Sequence, residues 1–178
     1  STHLVIKAVV MFAAYLVPYG ILLAFHMPFY IALAVWALMG LGIAGIGMNV
    51  MHDGLHGSWS KKGWLNRVMG DSIYLLCGNP FTWKVQHNYL HHTFTNIKGL
   101  DEDVEVKGLM RLHREDEWKP FHRHQHLYGP ILYSFLTLNW AVTKDFTQMH
   151  RYWKKGLLDR FGTDLNLQMT KLIIGKII

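Results

Sequence analysis

Two short runs of histidine hold the side chains best suited to bind metal. The first is His52-Asp53-Gly54-Leu55-His56, the second His87-Asn88-Tyr89-Leu90-His91-His92. Each run contains a pair at i and i+4. On a helix such a pair is one turn apart and about 40° apart around the axis, so both imidazoles can face one ion. His92 points about 100° away from His91 on a regular helix. Adjacent histidines then serve two neighbouring ions more easily than one, which points to a dinuclear centre. With 12 histidines in 178 residues, chance supplies about one i, i+4 pair but only about 0.05 of an H-x-x-x-H-H pattern. The candidate ligands are therefore His52, His56, His87, His91 and His92. The alternative is a set of polar side chains on a solvated face.

Neutral imidazole accepts iron, zinc and copper alike. A zinc protease needs Glu directly after the first histidine of H-E-x-x-H to activate water, and the shorter Asp53 stands there instead. Soluble four-helix di-iron proteins use Glu-x-x-His pairs, and no Glu of this chain has His three residues on. An imidazole-rich di-iron centre is the fit that remains. Asp53, Asn96 and Asp101 are candidates to accept the second ring N–H of ligating histidines. The acidic run Asp101, Glu102, Asp103 and Glu105 reads equally as a solvated loop.

Uneven charge indicates the scaffold that must position these ligands. Half of the chain is apolar (51%), and before His52 the only Lys, Arg, Asp or Glu is Lys7. Residues 4–25 and 29–50 are two apolar runs. At about 1.5 Å of rise per residue, roughly 20 residues cross a hydrocarbon core, so both runs qualify as spans. The link His26-Met27-Pro28 allows only a tight turn, so a helical hairpin is expected, with both outer ends on one side. The first run is too long for a signal-peptide core, and a second span follows it directly. Ten Lys or Arg lie between Met51 and His126, which places that stretch in the cytoplasm. The net charge of +6 reads as a membrane-surface feature rather than a nucleic-acid footprint, because the basic residues mix with acids and flank apolar segments. The single cysteine, Cys77, cannot form an intrachain disulfide, so nothing points to an oxidising compartment.

Residues 127–142 are apolar and aromatic but short, and Lys144, Arg151, Lys154, Lys155 and Arg160 follow them. An interfacial or re-entrant segment is preferred there over a third span. Residues 168–178 read as the start of a further span that stops short, so the chain is expected to be truncated at its C-terminus. The expected fold is an all-α integral membrane protein in a single domain. It comprises a transmembrane hairpin (4–50), a cytosolic or interfacial helical metal-binding cap (51–126), an interfacial or third-span segment (127–167) and the start of a further span (168–178).

The text H-D-G-L-H after a hairpin, followed by W-K-V-Q-H-N-Y-L-H-H-T-F-T-N, resembles the integral-membrane fatty-acid desaturases. Gly99-Leu100-Asp101-Glu102-Asp103 and Gln125-His126-Leu127-Tyr128 resemble the front-end or linoleoyl-CoA-type branch. By that resemblance His52 and His56 match the family's first histidine box, and His87, His91 and His92 its second. The resemblance implies two non-heme iron ions, O2 as co-substrate, a fatty acyl substrate (acyl-CoA or acyl-lipid), and electrons from cytochrome b5 or ferredoxin. Two vicinal hydrogens would be removed to leave a double bond, with O2 reduced to water. The family's third box, Q-x-x-H-H, and a cytochrome b5-like module do not occur in this sequence, which fits truncation, and the fragment by itself is expected to be inactive. Rival readings are hydroxylation of an alkyl, sterol or sphingolipid substrate on the same scaffold, and a histidine-rich metal transporter or sensor. The latter needs ionisable groups inside the spans, and residues 29–50 have none.

Weaker features take the blander reading first. His122, His124 and His126 form H-R-H-Q-H, which contains another i, i+4 pair and could pass for a third ligand box, but whose alternation suits an extended segment before residues 127–142 better. His3, His26, His113 and His150 read as structural or exposed. Gly40, Gly42, Gly45 and Gly47 suit close helix packing, or alternatively space for an acyl chain. Residues 148–155, Q-M-H-R-Y-W-K-K, read as an interfacial anchor.

Overall fold

A computed structural model of the protein describes residues 2–104 and 108–177. Glu105, from the acidic run, lies outside the described residues. Every regular element among the described residues is helical. The chain divides into two compact units, Ser1–Leu76 and Cys77–Ile178.

In the first unit α1 (Thr2–Ala24) packs along α2 (Phe29–Leu55), and the chain turns between them at Pro28. Both helices are long and apolar enough to cross a membrane, yet only 11% of the most apolar stretch of each is buried. A core helix of a soluble protein would hide far more of that surface. The pair is antiparallel. Gly42 sits against the backbone of Ala14 and Tyr15, Gly45 against Met11, and Lys7 Nζ donates to Asn49 Oδ1 at 3.1 Å. Lys7, the one Lys, Arg, Asp or Glu before His52, is thus tied to a polar partner, as an apolar surround requires. Close helix packing therefore accounts for Gly42 and Gly45, while a Cβ on Gly40 would meet nothing within 4 Å.

α2 does not stop at residue 50. It is α-helical over Phe29–Gly45, π-helical over Ile46–Met51, and α-helical again over His52–Leu55. The widened turn keeps its backbone groups bonded within the helix, so the rod continues and carries His52 on it. α3 (Gly63–Asp71) and a 3₁₀ turn (Ser72–Leu76) complete the unit.

The second unit begins with α4, which has three parts: Pro80–Trp83, a π-helical Lys84–His91, and His92–Phe94. Its start is fixed locally, because Asn79 Oδ1 accepts from the amides of Phe81 (3.0 Å) and Thr82 (3.1 Å), with Pro80 in the first turn. After a loop come a 3₁₀ turn (Pro120–His124) and α5 (Gln125–Ser134). α6 is composite (Leu136–Asn139, π-helical Trp140–Lys144, Asp145–Lys154), and α7 (Leu157–Arg160) and α8 (Leu165–Ile177) follow. The apolar core joins Val85 and Leu90 of α4 to Met149 and Tyr152 of α6 and Leu158 of α7.

Two expectations change. H-R-H-Q-H is not extended but crosses from the 3₁₀ turn into α5. His122 is buried there, with Nε2 3.1 Å from the Gly108 carbonyl and Nδ1 accepting from the Lys119 amide at 3.1 Å. Residues 148–155 are not an anchor throughout, because Gln148, Met149 and Tyr152 face the core and only the alternate side of the helix is outward.

Candidate metal centre

The first histidine run rides the end of α2. His56 closes the helix, its amide donating to the His52 carbonyl at 3.0 Å, and the two rings stand edge to face with centroids 4.4 Å apart. His52 Nδ1 lies 3.2 Å from Asp53 Oδ1. The helix ends at Gly57, whose φ of 72° is the left-handed conformation glycine adopts without strain. Gly54, between the histidines, matters for another reason. A Cβ there would stand 2.3 Å from the Gly70 amide nitrogen, so α3 packs backbone to backbone on the run. Asn66 of α3 secures the following loop, donating to the carbonyls of Gly57 (2.9 Å) and Ser60 (2.8 Å) and accepting from the Ser60 amide (2.7 Å).

The second run departs from the regular helix assumed above. His87 and His91 lie in the π-helical part of α4, and His92 follows at once. A helix bonded i to i+5 has a turn wider than 3.6 residues, so positions i+4 and i+5 both fall near residue i. His87 accordingly stacks on His91 (centroids 5.2 Å) and meets His92 edge-on (4.8 Å), and His91 and His92 are 5.5 Å apart. The three imidazoles of this run form one cluster.

Carboxylates back that cluster. Asp101 is 0% exposed, and both its oxygens lie 3.1 Å from His91 Nδ1. A carboxylate only accepts, so Nδ1 carries a proton, and when the ring is neutral Nε2 keeps the lone pair. That is the tautomer a metal ligand requires. Asp101 also accepts from the amides of Asn96 (2.8 Å) and Asp103 (3.0 Å). The loop is turned back toward α4 by Asn96, whose φ is 61°. Asp103 Oδ2 is 3.4 Å from Nδ1 of both His87 and His91. Burial alone would raise the Asp103 carboxyl, but hydrogen bonds from His87 and Gln86 and the charges of His91 and His87 hold it below the ordinary value. His87, His91 and Asp103 each present a ligand atom within 4.8 Å of the others.

Of the three acceptors proposed for ligating histidines, Asp53 and Asp101 meet histidines. Asn96 acts through its backbone alone, its carbonyl 3.0 Å from His113 Nε2. Asp103 and Glu102 had no separate signal, because in sequence they belong to one acidic run. Only the fold turns Asp103 to the histidines and buries Glu102 against Tyr152 (2.8 Å), Gln148 (3.2 Å) and Arg151 (3.2 Å). Histidines oriented by carboxylates on their distal nitrogens suit a divalent first-row metal such as iron.

Residues 28–163 match the family model described as Fatty acid desaturase. The chain is 33% identical over 114 residues to the sn-1 linoleoyl-lipid 6-desaturase of Arthrospira platensis, covering 64% of this chain and 31% of that protein. It is 30% identical over 146 residues to the acyl-lipid (8-3)-desaturase of Physcomitrium patens, covering 81% and 30%. To the NADPH-dependent stearoyl-CoA 9-desaturase of Mycobacterium tuberculosis it is 31% identical over 142 residues, covering 76% and 32%. The chain thus spans about a third of the length of these curated relatives. No solved structure matches it.

Proposed function

The chain belongs to the fatty acid desaturase family, and from that premise we propose that the protein introduces a double bond into a fatty acyl chain, held as acyl-CoA or acyl-lipid, using O2. His52, His56, His87, His91 and His92 are assigned as iron ligands. The observation that carries the assignment is the second run. Three imidazoles crowd one widened turn of α4, and the fully buried Asp101 fixes the proton of His91 on Nδ1. Such burial of a carboxylate is costly without a purpose for its partner.

Two iron ions held by these residues would supply the O2-dependent oxidation that unactivated methylene groups require. The protein's own part is to present the Nε2 lone pairs and keep the rings from turning. Asp53 does this for His52, Asp101 for His91, and Asp103 for His87 and His91. The division into hairpin (4–50), cap (51–126), interfacial or third-span segment (127–167) and the start of a further span (168–178) is part of the proposal. So are a cytoplasmic site and electrons from cytochrome b5 or ferredoxin.

The test is expression of the whole protein with analysis of cellular acyl lipids and of bound iron. A new double bond, about two irons per chain and loss of both in His91→Ala are expected. A hydroxylated product would replace desaturation by hydroxylation, and unchanged lipids with well under two irons would sink the reading.

A further inference from the structure

Behind the second histidine run stands a polar chain that metal ligation by itself does not account for. Gln148 of α6 is only 3% exposed. Its Nε2 donates to Gln86 Oε1 at 2.7 Å and to Glu102 Oε2 at 3.2 Å, which uses both amide hydrogens. Gln86 of α4 then donates through its own Nε2 to Asp103 Oδ1. The other oxygen of Asp103 is the one 3.4 Å from Nδ1 of His87 and of His91.

Chemistry fixes the direction of every link. Asp103 only accepts, so Gln86 must turn its NH2 to Asp103 and its oxygen to Gln148, and Gln148 must turn its NH2 to Gln86. The far end is anchored too, since Glu102 also accepts from the Tyr152 hydroxyl at 2.8 Å and pairs with Arg151 at 3.2 Å. Tyr152 lies one turn after Gln148 on α6. A buried amide is costly unless hydrogen-bonded, and Met would fill the same space without that cost.

We propose that Gln148 and Gln86 are positioning residues that set the His87 ring, through Asp103, from helix α6. The inference rests on the reading of that histidine as a metal ligand. Asp103 sits on a loop, and its backbone amide is held only by Asp101. Gln86 ties its side chain to the helix that carries the histidines, and Gln148 keeps Gln86 facing the right way. His91 Nδ1 is held by Asp101 in addition, so a displaced Asp103 carboxylate turns the His87 ring first.

The whole protein, stripped of metal, is titrated with Co2+ and followed by visible absorption. Gln148→Met and Gln86→Met should each weaken Co2+ binding roughly 10-fold, the range expected for partners one step behind the ligands, and shift the absorption bands. Gln148→Glu keeps the shape but replaces donors by acceptors, so it should weaken binding at least as much, whereas a packing role would tolerate it. The double Met variant should bind no worse than the weaker single one, because the two residues act in series. Gln86 is outside the fully buried core, so its variant decides the matter if Gln148→Met fails to fold. Wild-type affinity and spectrum in Gln86→Met, or losses that multiply in the double variant, would overturn this inference alone. Absence of Co2+ binding in the wild type would overturn the metal-centre reading, and this one with it.

Discussion

Asp101 joins three donors at one buried carboxylate: His91 Nδ1 and the amides of Asn96 and Asp103. Asp101→Asn keeps the volume but turns an NH2 toward one of these donors. Metal affinity should fall about 10- to 100-fold, read as Fe2+ retained after dialysis, while the circular dichroism of the helices stays unchanged. Tyr152 matters for the opposite reason. Its burial, and next the charge of Glu102, push the hydroxyl far above its ordinary value, so it donates at every working pH. Tyr152→Phe leaves Glu102 one donor short and should cost about 1–3 kcal/mol, measured by denaturant unfolding in detergent. The histidines were legible from spacing alone. Asp103 was not, because the sequence holds three near-identical acids within three residues and only the loop path distinguishes them.

Helix contacts make sharper tests than helix identities. A Cβ on Gly42 would lie 2.6 Å from the Tyr15 amide nitrogen, which is backbone and cannot swing aside, whereas one on Gly40 meets nothing within 4 Å. Gly42→Ala should therefore destabilise the α1–α2 pair by about 1–3 kcal/mol. Gly40→Ala should be neutral or stabilising by up to ~1 kcal/mol, since alanine is the better helix former. Thermal unfolding of the two variants side by side distinguishes them. In the second unit, Lys176 Nζ of α8 pairs at 2.8 Å with Asp145 of α6, which is 2% exposed and accepts from Thr82 of α4 at 2.6 Å. Lys176→Met strands a buried carboxylate and should cost about 3–5 kcal/mol, of which the added Asp145→Asn restores a large part. Equal stability of the single and double variants would show that the charge is not the reason. Sequence patterns showed the two apolar helices but not this tie, whose partners stand 31 residues apart (176 − 145).

At the scale of the molecule, the proposal puts residues 51–126 on the cytoplasmic side. Cys77 is the only cysteine of the chain and is exposed, so it can report the side directly. In the whole protein with any other cysteines replaced, a membrane-impermeant maleimide should label Cys77 in inside-out vesicles and not in right-side-out ones. The reverse pattern would refute the orientation.

The sequence by itself determined the helical class and the apolar pair with its tight turn, and it singled out the five histidines as candidates. Each of these is a local signal, carried by apolar run length, a proline or a four-residue interval. Tertiary structure decided what lies between them. The π-helical widening that gathers His87, His91 and His92 has no mark in the spacing, because i and i+4 look alike on any helix. The backing by Asp101 and Asp103, the close approach of Gly54 to Gly70, and the path from Gln148 through Gln86 all join residues that only packing brings together. Hydrogen-bond direction depends on where the partner finally stands, and composition does not encode that position.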